Sequence, residues 1–250
     1  MRVIESLKND RVKYWKKLKL SKERKKNQQY LIEGFHLIEE AIKFDADIVE
    51  LMSVSSELIE EYSNNYEKSI ITGEIAREIS STESNQGIFA VVAFPRTQHI
   101  DLKTGQRYLL LDQIQDPGNM GTMIRTADAA GFDAVIIGEA SVDLYNDKVI
   151  RSAQGSHWHL PVISMNLDLL IEELKQENIQ VVATALSDYS KSYKELENQK
   201  RHAIIIGNEG NGVRKELIEK ADLTVHIPMP GQSESLNASI AAAIIMFYLV

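Results

Sequence analysis

The chain is 250 residues long, has no cysteine and carries a formal net charge of −8. It can bury a core without staples, as one large domain or two smaller ones, and it excludes disulfides, thiolate metal sites and a cysteine nucleophile. An acidic total argues against a nucleic-acid partner, yet residues 1–30 hold 11 Lys/Arg against three acids, a net of +8 that leaves −16 on the other 220.

Residues 9–26 read as a basic helix or helix-turn, and the charge asymmetry points to an anionic partner for this stretch. Tyr14, Trp15 and Tyr30 are interleaved with the lysines and suit either base stacking or a core face. No apolar run follows the start, so no secretory leader is expected, and the glycosylation triplet at Asn237 is discarded with it. Residues 30–33 read as a strand, 34–44 as an amphipathic helix, 48–54 as a strand and 56–62 as a helix. A short strand at 70–71, a short helix at 73–81 and an apolar strand at 87–94 follow. This alternation predicts a small α/β unit over residues 1–94. The polar, turn-rich stretch 95–106 reads as a linker.

Residues 107–250 predict a second α/β unit. Strands are expected at 107–112, 134–137, 160–163, 180–185, 203–207 and 223–227. Helices are expected at 119–130 (closed by Gly131), 146–153, 167–177, 213–221 and 238–250. Five or six apolar strands with helices between them imply a mostly parallel sheet covered on both faces. The last helix is apolar on nearly every side, so it needs cover on more than one face. At roughly 20 Å it is too short for ~30 Å of hydrocarbon, so no membrane partner is expected.

Three loops follow strands of the second unit, where open α/β sheets bind ligands. The first, residues 112–122, has a Pro117-Gly118 turn, with Asn119 as the expected cap of a helix that carries Arg125. A helix start favours an anion, and Arg125 suits a bidentate phosphate contact or an i, i+3 ion pair with Asp128. The second, Gly207-Asn-Glu209-Gly-Asn-Gly212, has its glycines in the wrong order for a dinucleotide fingerprint, and Glu209 would repel a pyrophosphate. The third runs from Ile227 through two prolines, Gly231 and Ser235 to Asn237. Of the six histidines only His157 and His159 are close, as if on one strand face. With no third ligand, no metal site is expected.

Read together, D-x-I-x-D-P-G-N-x-G-T-x-I-R-T-A, then I-I-I-G-N-E-G-x-G, then I-P-M-x-G-x-x-E-S-L-N-x-S-x-A resemble the three motifs of the SpoU-type RNA ribose 2′-O-methyltransferases of the SPOUT superfamily. Residues 1–94 more loosely resemble the ribosomal-protein-like substrate-binding domain of many members. The resemblance implies a trefoil-knotted α/β methyltransferase domain, in exception to the unknotted rule, that binds S-adenosylmethionine (AdoMet) mostly through backbone groups. By motif match Gly207, Ile227 and Leu236 surround the cofactor, with Thr184, Glu209, Met229 and Ser235 nearby. Arg125 matches the family's catalytic arginine, and Asn119 and Asn237 its motif asparagines. The arginine has been proposed in this family as the base. Because guanidinium stays protonated, a phosphate clamp that polarises the hydroxyl is the reading preferred for Arg125, with Glu209 or water as rival proton acceptor. The lack of cysteine fits a cytoplasmic protein, and the resemblance implies a homodimer formed through the knotted domain. The basic start favours rRNA, large-subunit rRNA first, over tRNA. The rival from another class is a non-enzymatic RNA-binding ribosome-assembly protein, which would have no affinity for AdoMet.

Overall fold

Short apolar strands separated by helices build two sheets, one in each of two units. The computed structural model describes residues 1–62, 66–96, 98–187, 189–196 and 201–250. One unit comprises residues 1–97 with 145–158; the other comprises 98–144 with 159–250. Thr97 of the expected linker lies outside the described residues. Ile100 and Leu102 of that stretch pack against the core of the second unit.

The first unit runs β1 (Arg2–Ile4), α1 (Asp10–Lys17), α2 (Ser21–Asn27), β2 (Gln29–Glu33), α3 (Phe35–Lys43), β3 (Ile48–Ser53), α4 (Glu57–Glu60), β4 (Glu67–Ile71), α5 (Gly73–Ile79) and β5 (Ile88–Ala93). Its mixed sheet has the order β1-β4-β3-β5-β2. The continuous apolar run of β5 is explained by cover on both faces. Ile88, Ala90 and Val92 face one core with Tyr30, Ile38 and Leu51, while Phe89 and Val91 face another with Trp15, Met52 and Ile75. The basic stretch forms two helices, because Leu20 turns to an extended conformation between them.

The aromatic residues of that stretch do not serve for stacking. Trp15 and Tyr30 are fully buried, and the Tyr14 hydroxyl donates to Gln29. Trp15 Nε1 donates to the buried carboxylate of Glu50 at 3.2 Å, which also accepts from Ser69 Oγ at 2.6 Å and Arg11 at 3.0 Å. Helix α1 is thereby pinned to β3 and β4.

The rest of the chain runs β6 (Arg107–Leu111), α6 (Pro117–Ala129), β7 (Ala134–Ile137), α7 (Asp147–Ala153), α8 (Ser156–His159), β8 (Val162–Ser164), α9 (Leu167–Gln176), β9 (Gln180–Thr184), β10 (Lys191–Ser192), a 3-10 turn (Tyr193–Glu195), β11 (His202–Ile206), α10 (Lys215–Lys220), β12 (Leu223–His226) and α11 (Ala238–Tyr248). Helix α7 lies within 107–250 in sequence but clusters with the first unit, because Ile150 enters the core around Tyr30 with Tyr145 and Trp158 beside it. His157 and His159 are not on a strand. They sit in the helical turn α8, where His157 meets the Tyr30 hydroxyl at 3.2 Å and His159 Nδ1 meets Asp128 at 2.7 Å.

The second sheet has the order β10-β12-β9-β11-β6-β7-β8, parallel throughout. The chain steps outward from β6 to β7 and β8, then returns to fill the other side with β9, β11 and β12. The reversal places a topological switch point beside β6, where such sheets hold ligands at the carboxyl ends of their strands. Helix α11 packs on α6 and β11 although the strand before it, β12, lies beyond β9. Residues 227–237 therefore cross the ends of β9 and β11.

Candidate active site

The loops leaving β6, β11 and β12 are fixed by their own side chains. In the first, Asp116 caps α6 by accepting from Asn119 N at 2.8 Å, and Pro117 takes the first helical position, where its missing N–H costs nothing. The helix thus starts two residues before the expected start at Asn119. That shift releases the Asn119 side chain from capping: its Nδ2 donates to Glu209 Oε1 at 3.0 Å, and its Oδ1 accepts from Asn237 Nδ2 at 2.9 Å. Asn237 in turn caps α11, accepting from Ser239 N at 2.9 Å and Ser239 Oγ at 2.6 Å. One polar chain, Glu209–Asn119–Asn237, ties all three loops together.

Glu209 is saturated by this arrangement. Besides Asn119 it accepts from the Gln115 and Asp116 N–H groups, each at 3.1 Å. Burial pushes its carboxyl upward, but the hydrogen bonds from Asn119, Gln115, its own N–H and Asp116 outweigh burial and hold it below the usual carboxylate value. It stays ionised, with its oxygens committed to the α6 entrance.

The β11 loop needs its first glycine for a steric reason. A Cβ at Gly207 would collide with the Gly212 carbonyl carbon and the Val213 nitrogen, while Gly212 takes φ +71°. The two ends of the loop pair as Asn208 N to Gly212 O at 3.0 Å and Gly212 N to Asn208 O at 2.9 Å. Asn208 Oδ1 accepts from Gly210 N and Asn211 N at 2.9 and 3.0 Å, and its Nδ2 donates to Gln113 O at 2.9 Å. Asn208 was not among the expected site residues. Neither was the pair of Asp112, 1% exposed, with Arg214, whose N and Nε both donate to it at 2.8 Å. The polarity of the loop was the one sequence signal for Asn208. Nothing local could have paired residues 102 positions apart.

Between these loops lies a cavity of about 820 Å³, within the size range of small-molecule sites. Thr184, Gly207, Glu209, Ile227, Met229, Ser235 and Leu236, the residues expected around the cofactor, all line it. Val225, Ala241 and Ile245 add apolar wall. The Thr184 hydroxyl is already donated to Ile205 O at 2.9 Å. Among the described residues the charged lining side chains are Glu209 and Glu234, with no Lys or Arg.

Arg125 is not among the residues lining the cavity. It is exposed on α6, eight residues past Pro117, about 12 Å along the axis and beyond the reach of the helix-start dipole. Among the described residues its side chain makes no hydrogen bond or ion pair. The expected alternative, an ion pair with Asp128, does not form, because Asp128 is held by His159.

Fold and cavity define a class: a parallel α/β unit that holds a small ligand at the carboxyl ends of its strands, next in sequence to a second α/β unit. The SpoU rRNA Methylase family matches residues 106–247, and the MRM3-like substrate binding domain matches residues 9–90. The chain belongs to the SpoU rRNA methylase family, as the three motifs predict. It is 44% identical over 250 residues, 100% of this chain and 99% of the relative, to a Bacillus subtilis protein named 23S rRNA (guanosine(2553)-2′-O)-methyltransferase. A crystal structure of an AdoMet-bound rRNA methyltransferase from Sinorhizobium meliloti superposes with a TM-score of 0.88 at 28% identity, covering 99% of this chain and 97% of that one. A Streptomyces viridochromogenes SpoU methyltransferase in complex with AdoMet gives 0.85 at 25% identity, with 97% of each chain covered.

Proposed function

We propose that the chain transfers a methyl group from AdoMet to a ribose 2′-hydroxyl of 23S rRNA, at the guanosine equivalent to that named for the Bacillus subtilis relative. The observation that carries the reading is the cavity. Its apolar wall suits adenine, its exposed loop backbone suits the polar edges of a nucleoside, and a lining with carboxylates and, among the described residues, no Lys or Arg suits a sulfonium. Thr184, Gly207, Ile227, Met229, Ser235 and Leu236 are the residues that would hold the cofactor. Bound AdoMet supplies an electrophilic methyl group.

The protein must then orient the hydroxyl and help its proton leave. Arg125, exposed and with no side-chain partner among the described residues, is placed to grip a substrate phosphate with its fork and polarise the hydroxyl. Asn119, Asn237 and Glu209 position the loops. Glu209, with its oxygens occupied and its proton affinity lowered, is a poor proton acceptor, and this disfavours it as the base. The crossing of 227–237 over β9 and β11 supports a trefoil knot.

Helix α11 supports a homodimer. Its Ser239, Ala242, Ile245 and Met246 are buried, while Ile240 and Phe247 leave an apolar face in solvent. No helix among the described residues is long and apolar enough to cross a membrane. The proposed rRNA substrate supports a cytoplasmic location.

The test is transfer of labelled methyl from AdoMet into undermodified large rRNA, small rRNA and tRNA, followed by digestion to nucleosides. Label in 2′-O-methylguanosine from large rRNA alone is the expected result. Label in tRNA would replace the substrate, and no AdoMet binding at all would leave a non-enzymatic RNA binder.

A further inference from the structure

The basic stretch of residues 1–30 is divided by the fold into cations it uses and cations it leaves alone. Arg11 is spent on Glu50 and Glu67, Lys13 on Asp10 and Lys16 on Glu78. Lys19 donates to the Glu78 and Ser80 carbonyls at 3.0 and 2.7 Å. Arg24 is 3% exposed and turns inward, donating to the Leu18 and Lys19 carbonyls at 2.9 and 2.7 Å. What remains is Lys8 and Lys17, exposed and without a side-chain hydrogen bond or ion pair among the described residues, and, on α2, the three lysines Lys22, Lys25 and Lys26. All three are exposed, and among the described residues none has a hydrogen bond or ion pair through its side chain.

Their spacing puts the three on one face of α2, Lys22 meeting Lys25 at i+3 and Lys26 at i+4. Like charges at these distances destabilise a helix, and this one has no side-chain cap at its start. The inward Arg24 fixes the rotation of α2, so the lysine face is held outward. No aromatic residue accompanies it, because Trp15 and Tyr30 are in the core and Tyr14 is bonded to Gln29. A rigid cationic face without stacking partners matches the regular negative charge of an RNA backbone and reads no sequence.

We infer that Lys22, Lys25 and Lys26 form a phosphate-contact face for the RNA substrate, supplying affinity while the target nucleotide is chosen elsewhere. This deepens the function proposed above and rests on RNA being the substrate. The partnered lysines of α1 contribute little to RNA affinity, being committed to the protein's own carboxylates.

The experiment compares the full chain with its Lys22→Gln/Lys25→Gln/Lys26→Gln variant on undermodified large rRNA, with Lys13→Gln as the control. Binding is measured across a salt series, and methyl transfer at saturating RNA. The expected result is a KM for RNA raised about tenfold near physiological salt with kcat unchanged. The slope of log Kd against log salt should fall by roughly two to three, at ~0.7–0.9 per phosphate released. The modified nucleotide should stay the same, and Lys13→Gln should leave the slope as it is.

An unchanged slope and KM would overturn the inference. A lowered kcat with unchanged KM would also overturn it, since the lysines would then act through the fold or the active site. Thermal unfolding of the triple variant at the wild-type temperature excludes misfolding as the cause. A wild type that binds this RNA but methylates none of it would count against the function proposed above and not against the lysine face.

Discussion

Gly207 and Gly210 stand three residues apart in one loop and have opposite requirements. A methyl on Gly207 has no room against the Gly212–Val213 backbone, whereas one on Gly210 meets only Asn208 Oδ1 at an ordinary 3.5 Å. Gly207→Ala is therefore expected to cost about 1–3 kcal/mol or more and to abolish AdoMet binding. Gly210→Ala should fold as the wild type. Thermal unfolding with an AdoMet titration of both variants checks this. Glu209→Ala strands the N–H groups of Gln115, Asp116 and Asn119, at roughly 1–3 kcal/mol, and should weaken AdoMet binding before it touches chemistry. Because the folded carboxyl lies below its ordinary value of 4.5, its contribution is complete above that pH and fades as pH falls through the lower folded value. A kcat profile measured over about pH 6–9 should carry no Glu209 ionisation; a limb there that vanishes in Glu209→Gln would restore it as the base. His159 keeps Asp128 from Arg125. His159→Ala should lower kcat/KM about twofold, the scale of a helical i, i+3 pair, and Asp128→Asn in the same protein should restore it. The Gly207 loop was legible because glycine and asparagine clusters announce turns. Asp112–Arg214 and Asp128–His159 were not, because each joins residues the fold alone brings together.

Helix α1 shows how an element's charge can mislead. Its lysines suggest a solvated or RNA-facing helix, yet its tertiary hold is polar and buried: Trp15, Arg11 and Ser69 converge on Glu50. Removing that carboxylate should be costly, since breaking a buried pair costs roughly 3–5 kcal/mol and Arg11, partly exposed, keeps only Glu67. Glu50→Ala is expected to fall near the lower end of that range, read from urea unfolding. A loss under about 0.5 kcal/mol would mean that packing of Trp15 alone holds the helix. The sequence betrayed β5 and the strands of the second sheet because burial on both faces leaves continuous apolar runs. It did not betray β1 and β10, of three and two residues, which are too short to show a period. Helix α6 was legible in place and type, but its start moved because Asp116, and not Asn119, takes the cap.

At the scale of the whole molecule, α11 has one face buried and one apolar face open, with Phe247 54% and Ile240 50% exposed. Light scattering at micromolar concentration should return twice the chain mass of 28.2 kDa, and Phe247→Glu should shift it toward monomer. A monomeric wild type would remove the homodimer from the account. The motifs made the second unit's site readable from sequence because three loops, far apart in the chain, each keep a recognisable spacing. They could not show that Arg125 is not among the residues lining the cavity. The central claim is a division of roles: the strand-exit loops hold AdoMet, and Arg125 serves the RNA. The direct measurement is AdoMet affinity and methyl transfer for Arg125→Ala beside the wild type. The account predicts unchanged AdoMet affinity with transfer to rRNA lowered at least a hundredfold, about 2.7 kcal/mol of transition-state stabilisation. Full transfer, or loss of AdoMet binding in step with transfer, would contradict it.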